Sequence, residues 1–183
     1  MARKKEIDRD RILDAAEAVI LASGGRNLTL DAVAERAGIS KGGLVYSFAT
    51  KDELIQATLE REGERFQEAV RQRLGNGPTG PVELVLAHIE EALNEDDTST
   101  QKAAFLIAAL VHAPEKLKSL RRFYSELLDT LRSESGEMAE VRQAILAVEG
   151  IFLLRALGLA QVSQEELKSV LLHARDSVAG WVQ

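Results

Sequence analysis

The chain has 183 residues, no Cys, a formal net charge of −6, and 45% hydrophobic against 28% charged residues. That length buries a full core in one or two small domains. The missing thiols exclude a disulfide framework and a thiolate metal site, which fits a reducing, cytoplasmic setting. A charged N-terminus and the lack of a long uncharged apolar run predict neither a signal segment nor a membrane span.

The periodicity predicts helix almost throughout, an all-α fold of about nine helices. The first covers about Asp8 to Ser23, with Ile12, Ala16, Val19 and Ile20 inward, and Gly24-Gly25 ends it. The second starts at an N-cap Thr29 and carries Leu30, Val33, Ala34 and Ala37 on one face. Gly38 supplies the positive φ of a tight turn, and Ser40 caps a third, short helix. Helix, glycine turn and helix at this spacing is the build of a helix-turn-helix, whose second helix enters the DNA major groove.

The fourth helix opens on a capping box, Thr50-Lys51-Asp52-Glu53, and runs to Leu74. Gly63 interrupts its inner stripe, and reads either as a pivot or as a site of close packing. Gly75 to Gly80, with Asn76, Pro78 and Thr79, is the clearest break, and Pro81 opens the fifth helix. Asn94 to Thr100 reads as a polar loop, followed by helices over about Gln101–Val111 and Glu115–Ser133. Ser135-Gly136 reads as a turn and Met138–Leu159 as the eighth helix. The apolar stretch from Val141 to Val162 is broken by Glu149 and Arg155, so it reads as a buried helix. Ser163 to Glu166 forms a second capping box, opening a ninth helix that reaches Gly180.

Residues 8 to 54 resemble the DNA-binding domain of the TetR/AcrR family of bacterial transcriptional regulators. The resemblance rests on fifteen positions at fixed spacing: Thr29, Leu30, Val33, Ala34, Ala37, Gly38, Ile39, Ser40, Gly42, Leu44, Tyr46, Phe48, Thr50, Lys51 and Leu54. Ser47 stands where His or Tyr is frequent, and Ala49 where Pro is frequent; neither touches the turn. The resemblance implies an N-terminal three-helix domain, residues 1–50, and a helical effector-binding and dimerisation domain, residues 51–183, with the fourth helix as connector. The first 51 residues carry net charge +2 and the rest −8, so a weakly basic end can face DNA.

By position, the recognition helix holds Lys41, Gly42, Gly43, Leu44, Val45, Tyr46, Ser47 and Phe48. Leu44 and Phe48, four apart, point inward. Tyr46 is expected on a phosphate, and Lys41 and Ser47 on base edges or phosphate. Gly42 and Gly43 leave little for direct readout, which shifts weight to DNA shape. Thr50 and Lys51 stand at a helix N-terminus, a natural phosphate seat. Thr29 is a similar candidate. Arg3, Lys4 and Lys5 read either as an arm near the duplex or as a solubilising tail, and Arg26 is a further backbone candidate.

Nothing reads as an enzyme. His88, His112 and His173 are far apart with no ligand spacing, so no metal or cofactor is implied. The resemblance implies a small-molecule pocket among helices four to seven, placed by position on Phe66, Ile89, Phe105, His112, Phe123 and Leu127. Each of these taken alone also reads as packed core. The eighth helix is apolar almost all round, so either a twin chain or the chain's own fold covers its second side. A seam between twins would use Ile145, Val148, Ile151, Phe152, Leu171, Ala174 and Val178. The function expected is a ligand-responsive, homodimeric repressor of a palindromic operator. The alternative is the same fold regulating without a small ligand, through a protein partner or as an activator.

Overall fold

A computed structural model describes residues 8–23, 25, 27–75, 77, 80–132 and 136–181. Among them stand nine α-helices and no strand: α1 (Arg9–Ser23), α2 (Leu30–Ala37), α3 (Lys41–Ser47), α4 (Lys51–Leu74), α5 (Pro81–Asn94), α6 (Asp97–Ala109), α7 (Lys118–Thr130), α8 (Gly136–Ala156) and α9 (Gln164–Ala179). One 3-10 turn, Pro114–Leu117, precedes α7. Arg3, Lys4, Lys5, Gly24, Arg26, Asn76, Pro78, Thr79 and Ser135 lie outside the described residues.

The helices form two compact units. The first holds the described residues of Met1–Arg61 and Gln101–Leu117; the second holds those of Glu62–Thr100 and Lys118–Gln183. The expected boundary between residues 50 and 51 thus falls inside the first unit. The reason is burial: Leu54, Ile55 and Leu59 of α4 and Leu106 and Leu110 of the α6 segment close the same apolar core as Ile12, Val33, Leu44 and Phe48. The second core is built from Val82, Val85 and Ile89 of α5, Leu127 of α7, Val141, Ile145 and Val148 of α8, and Leu171, Ala174 and Val178 of α9.

Local chemistry explains the boundaries. The run Asn94 to Thr100, expected as a loop, is mostly the first turn of α6. Asp96 caps it, its carboxylate accepting the Ser99 N–H at 2.8 Å. Asp97 is then held by both guanidinium nitrogens of Arg155, at 2.9 and 3.0 Å. Gly136, expected in a turn, begins α8, and α8 stops at Ala156 rather than Leu159 because Gly158 takes a left-handed φ of 66°. The expected start of the seventh helix at Glu115 is instead the 3-10 turn. Ser163 and Glu166 make the reciprocal capping box, at 3.1 and 2.8 Å.

α4 runs unbroken through Gly63. Nothing lies within 4 Å of where a Cβ would stand there, so close packing does not require the glycine. Gly63→Ala is therefore expected to stabilise the protein by about 1 kcal/mol, the helix-propensity difference. Chemical denaturation checks this. A pivot role predicts something else as well: an altered operator affinity in the same variant.

Candidate nucleic-acid interface

The first unit sets out its helix-turn-helix by caps. Thr29 accepts the Ala32 N–H at 3.1 Å and starts α2. Gly38 ends it in the left-handed conformation, φ 63°, its N–H returning to the Ala34 and Glu35 carbonyls. A side chain at that φ is strained, and a Cβ there would also press on the Arg11 guanidinium. Ser40 accepts the Gly43 N–H at 3.1 Å and starts α3. Thr50 accepts the Glu53 N–H at 3.1 Å, and the Glu53 carboxylate reaches back to the Ala49 N–H at 2.9 Å. The fourth helix thus has both halves of its cap, with the second half one residue earlier than a standard box.

These caps decide which side chains face water. Leu44 and Phe48 are buried and hold α3 to the core. Thr29, Ser40, Lys41, Gly42, Val45, Tyr46, Thr50 and Lys51 are exposed, while Gly43 and Ser47 are half-buried. Tyr46 is 83% exposed. Space around Gly42 is open, so the fold itself would admit a side chain there. Lys41 is tied to Asp31 of α2 at 2.9 Å. That pair is solvent-exposed and worth only about 0–1 kcal/mol, so the lysine remains available to a stronger anion.

One positioning residue carries no motif signal. Arg9 of α1 donates to the Ser47 carbonyl at 2.9 Å and lies 4.2 Å from the centroid of the Phe48 ring. A cation at the C-terminal end of α3 complements the partial negative charge there. In the sequence it is one more basic residue at the start of a helix.

A second set of charges lies between α1, α4 and α6. Arg61 reaches Asp14 at 2.9 Å and makes a closer contact with Glu17, and Lys102 reaches Glu17 at 3.2 Å. His112 pairs with Asp52 at 3.1 Å on the exposed surface of this unit. Phe105 packs on the first core, its ring against Gly25. Of the six pocket candidates, Phe105 and His112 therefore belong to the first unit and the other four to the second.

In the second unit Ile89 and Leu127 are plain core. Phe66 and Phe123 meet around His88, which has no ligand spacing in the sequence. Phe66 stands edge-on to its ring at 4.8 Å and Phe123 stacks at 6.0 Å. His88 Nε2 lies 2.7 Å from Glu149 Oε1, and the Tyr124 hydroxyl donates to Glu149 Oε2 at 2.6 Å. Burial, and then the Glu149 charge, raise the Tyr124 pKa far above its ordinary value, so the phenol keeps its proton. His88 and Glu149 are 61 positions apart, a distance no spacing rule spans.

The seam candidates divide by burial. Ile145, Val148, Leu171, Ala174 and Val178 are buried within their own chain; Ile151 and Phe152 are half-buried. Among the described residues, the large apolar side chains that α8 leaves exposed are Leu146 and Leu154. Gly150 stands midway between them on the same ridge, with open space where a Cβ would be. Among the described residues no group of acidic, His or Cys side chains could hold a metal ion, and no helix is long and apolar enough to cross a membrane.

Known proteins share this arrangement over both units. The model of bacterial regulatory proteins of the tetR family matches residues 12–58, and that of the tetracyclin repressor-like C-terminal domain matches residues 82–175. The regulator BetI of Escherichia coli O45:K1 (strain S88 / ExPEC) is 30% identical over 165 residues, covering 84% of each chain. The transcriptional repressor KstR of Rhodococcus jostii (strain RHA1) is 29% identical over 139 residues, 73% of this chain and 66% of its own length. The multidrug binding protein EbrR, solved with imidazole, superposes with a TM-score of 0.63 at 27% identity, covering 94% of each chain. With the helix-turn-helix and the C-terminal domain both matched, the chain belongs to the tetR family and is a DNA-binding transcriptional regulator, not an enzyme.

Proposed function

We propose that the protein is a homodimeric repressor that binds a palindromic operator and leaves it when a small molecule enters the second unit. The observation that carries the DNA side is the exposed face of α3, where Val45 and Tyr46 stand in water above a buried Leu44 and Phe48. α3 lies in the major groove, Tyr46 and Lys51 hold phosphates, and Arg9 fixes the end of α3. Thr50 and the open N-terminal turn of α4 add N–H donors to the same strand. Gly42 lets the backbone come close, so DNA shape contributes to the choice of site.

One helix-turn-helix per chain reads one half-site, and two half-sites need two chains. The Leu146–Gly150–Leu154 ridge of α8 supports the pairing, since an exposed apolar ridge with a central glycine admits a second helix at close range. KstR is named a repressor and EbrR a multidrug binding protein, which supports repression and a small-molecule signal. α4 supports the coupling: it carries Lys51 in the first unit and Phe66 in the second on one continuous helix. Linkage requires that operator and effector weaken each other by the same factor.

Selection of duplexes from a random-sequence pool, followed by footprinting, tests the reading. Two-fold symmetric protection is expected; protection of a single half-site by a monomer overturns it. Lys51→Ala is expected to weaken binding to all sequences and to reduce the salt slope by about one unit, as for one lost phosphate contact. Arg9→Ala should weaken the selected site more than random DNA, because it frees the recognition helix rather than removing a phosphate contact. Titrations at several salt concentrations separate the two outcomes.

A further inference from the structure

The core of the second unit is Val, Leu, Ile and Ala except at one place, where His88, Tyr124 and Glu149 share hydrogen bonds. Burying a polar cluster in such a core costs stability that apolar residues would not. His88 is 6% exposed and Glu149 17% at the side chain, while Phe66, Phe123 and Tyr124 around them are half-buried. His88 and Glu149 are thus nearly withdrawn from water, while the three rings are partly exposed.

Its charge is one-sided. A carboxylate offers about four lone-pair sites, and the His88 and Tyr124 bonds use two of them. No Lys or Arg pairs with Glu149 among the described residues. On the same unit Glu95, whose charge His88 attracts, has its pKa raised to about 7. Crowding by protein atoms is the first cause, although the residue is exposed; repulsion by Glu91, Glu62 and Asp96 follows, and His88 opposes them. Phe123 and Tyr124 stand edge to face at 5.2 Å, so their π-faces are turned to different sides of the cluster.

We propose that Glu149, with the rings of Phe66, Phe123 and Tyr124, forms the binding site for an organic cation, an amine or quaternary ammonium carrying an apolar group. This rests on the effector reading above and names the chemical class of the effector. Glu149 supplies the counter-charge, the rings supply cation–π contact and apolar surface, and His88 and Tyr124 fix the carboxylate. An anion meets the Glu149 carboxylate here and is disfavoured. A neutral ligand gains only the apolar contact.

Calorimetry with benzyltrimethylammonium, benzyl alcohol and benzoate tests the class on the intact protein. The cation is expected to bind at least ten-fold tighter than the alcohol, with no benzoate binding. Glu149→Gln should lower cation affinity about ten-fold or more and leave the alcohol unchanged; Phe123→Leu, which keeps apolar volume, should lower it several-fold. Thermal melts show whether each variant is folded; if Glu149→Gln is not, the wild-type ligand series and Phe123→Leu decide. Equal affinity for cation and alcohol, measurable benzoate binding, no cation binding at millimolar concentration, or an unchanged cation affinity in folded Glu149→Gln overturns the proposal. Release of a duplex selected by the protein itself is read separately. Cation binding without release keeps the site and removes its effector role. Release by benzoate or benzyl alcohol alone keeps an effector role and overturns the cation class.

Discussion

Leu154→Glu is expected to leave the chain folded, to make it a monomer, and to abolish operator binding. Leu154 is 45% exposed on α8, so in a single chain the new carboxylate remains in water and costs little. Against a twin helix the same carboxylate is buried without a partner, at a cost of several kcal/mol. Losing the second half-site removes the gain from binding both recognition helices at once. Sedimentation and circular dichroism check the first two outcomes, and a mobility shift the third. Ile145→Glu is the control with the opposite signature: Ile145 is 1% exposed inside its own core, so the variant should unfold rather than dissociate. A folded, dimeric Leu154→Glu would place the seam away from the Leu146–Gly150–Leu154 ridge.

Glu17→Ala should be the most damaging single change in the first unit that touches no apolar core residue. Glu17 faces two cations, Arg61 at 13% and Lys102 at 7% side-chain exposure. Removing it leaves both with one carboxylate fewer in a place water hardly reaches. Breaking such a buried pair costs about 3–5 kcal/mol. Asp14 still holds Arg61, which is why the lower end is the better expectation. Arg61 Nε is already buried without a hydrogen-bond partner, so the guanidinium has little reserve. Urea denaturation measures the loss; one below about 1 kcal/mol would mean that water replaces Glu17 and that the cluster is effectively exposed. Operator affinity is expected to fall with stability, because α1 also carries Arg9.

Local rules made the first three helices legible, and local rules are what build them. Thr29, Gly38, Ser40 and Thr50 act within four residues of themselves, and each is found capping or turning as its type demands. The run at Asn94–Thr100 resists local reading for the same reason in reverse. Its polar composition looks like a loop, and the Arg155 guanidinium that helps hold its Asp97 is 58 positions away. A seam is harder to read, because apolar character says that a side chain is covered, not by which chain. Ile145 and Leu146 are adjacent and equally apolar, yet one is core and the other faces out. The same limit hid Glu149. In the sequence it interrupts an apolar helix, and only the fold brings His88 and Tyr124 to its two oxygens.

The ring of Phe105 against Gly25 has a practical consequence for building chimeric regulators. Gly25 holds φ 78°, and a Cβ there would collide with that ring, so the turn after α1 is shaped to receive a residue from α6. Leu106 and Leu110 follow Phe105 into the same core. A graft of the first 61 residues onto another effector domain would carry the reading head and leave its socket empty. A transplant that works must move two pieces of chain, the N-terminal segment and Gln101–Leu117, or supply from the host a helix with an aromatic residue and two leucines in the same register.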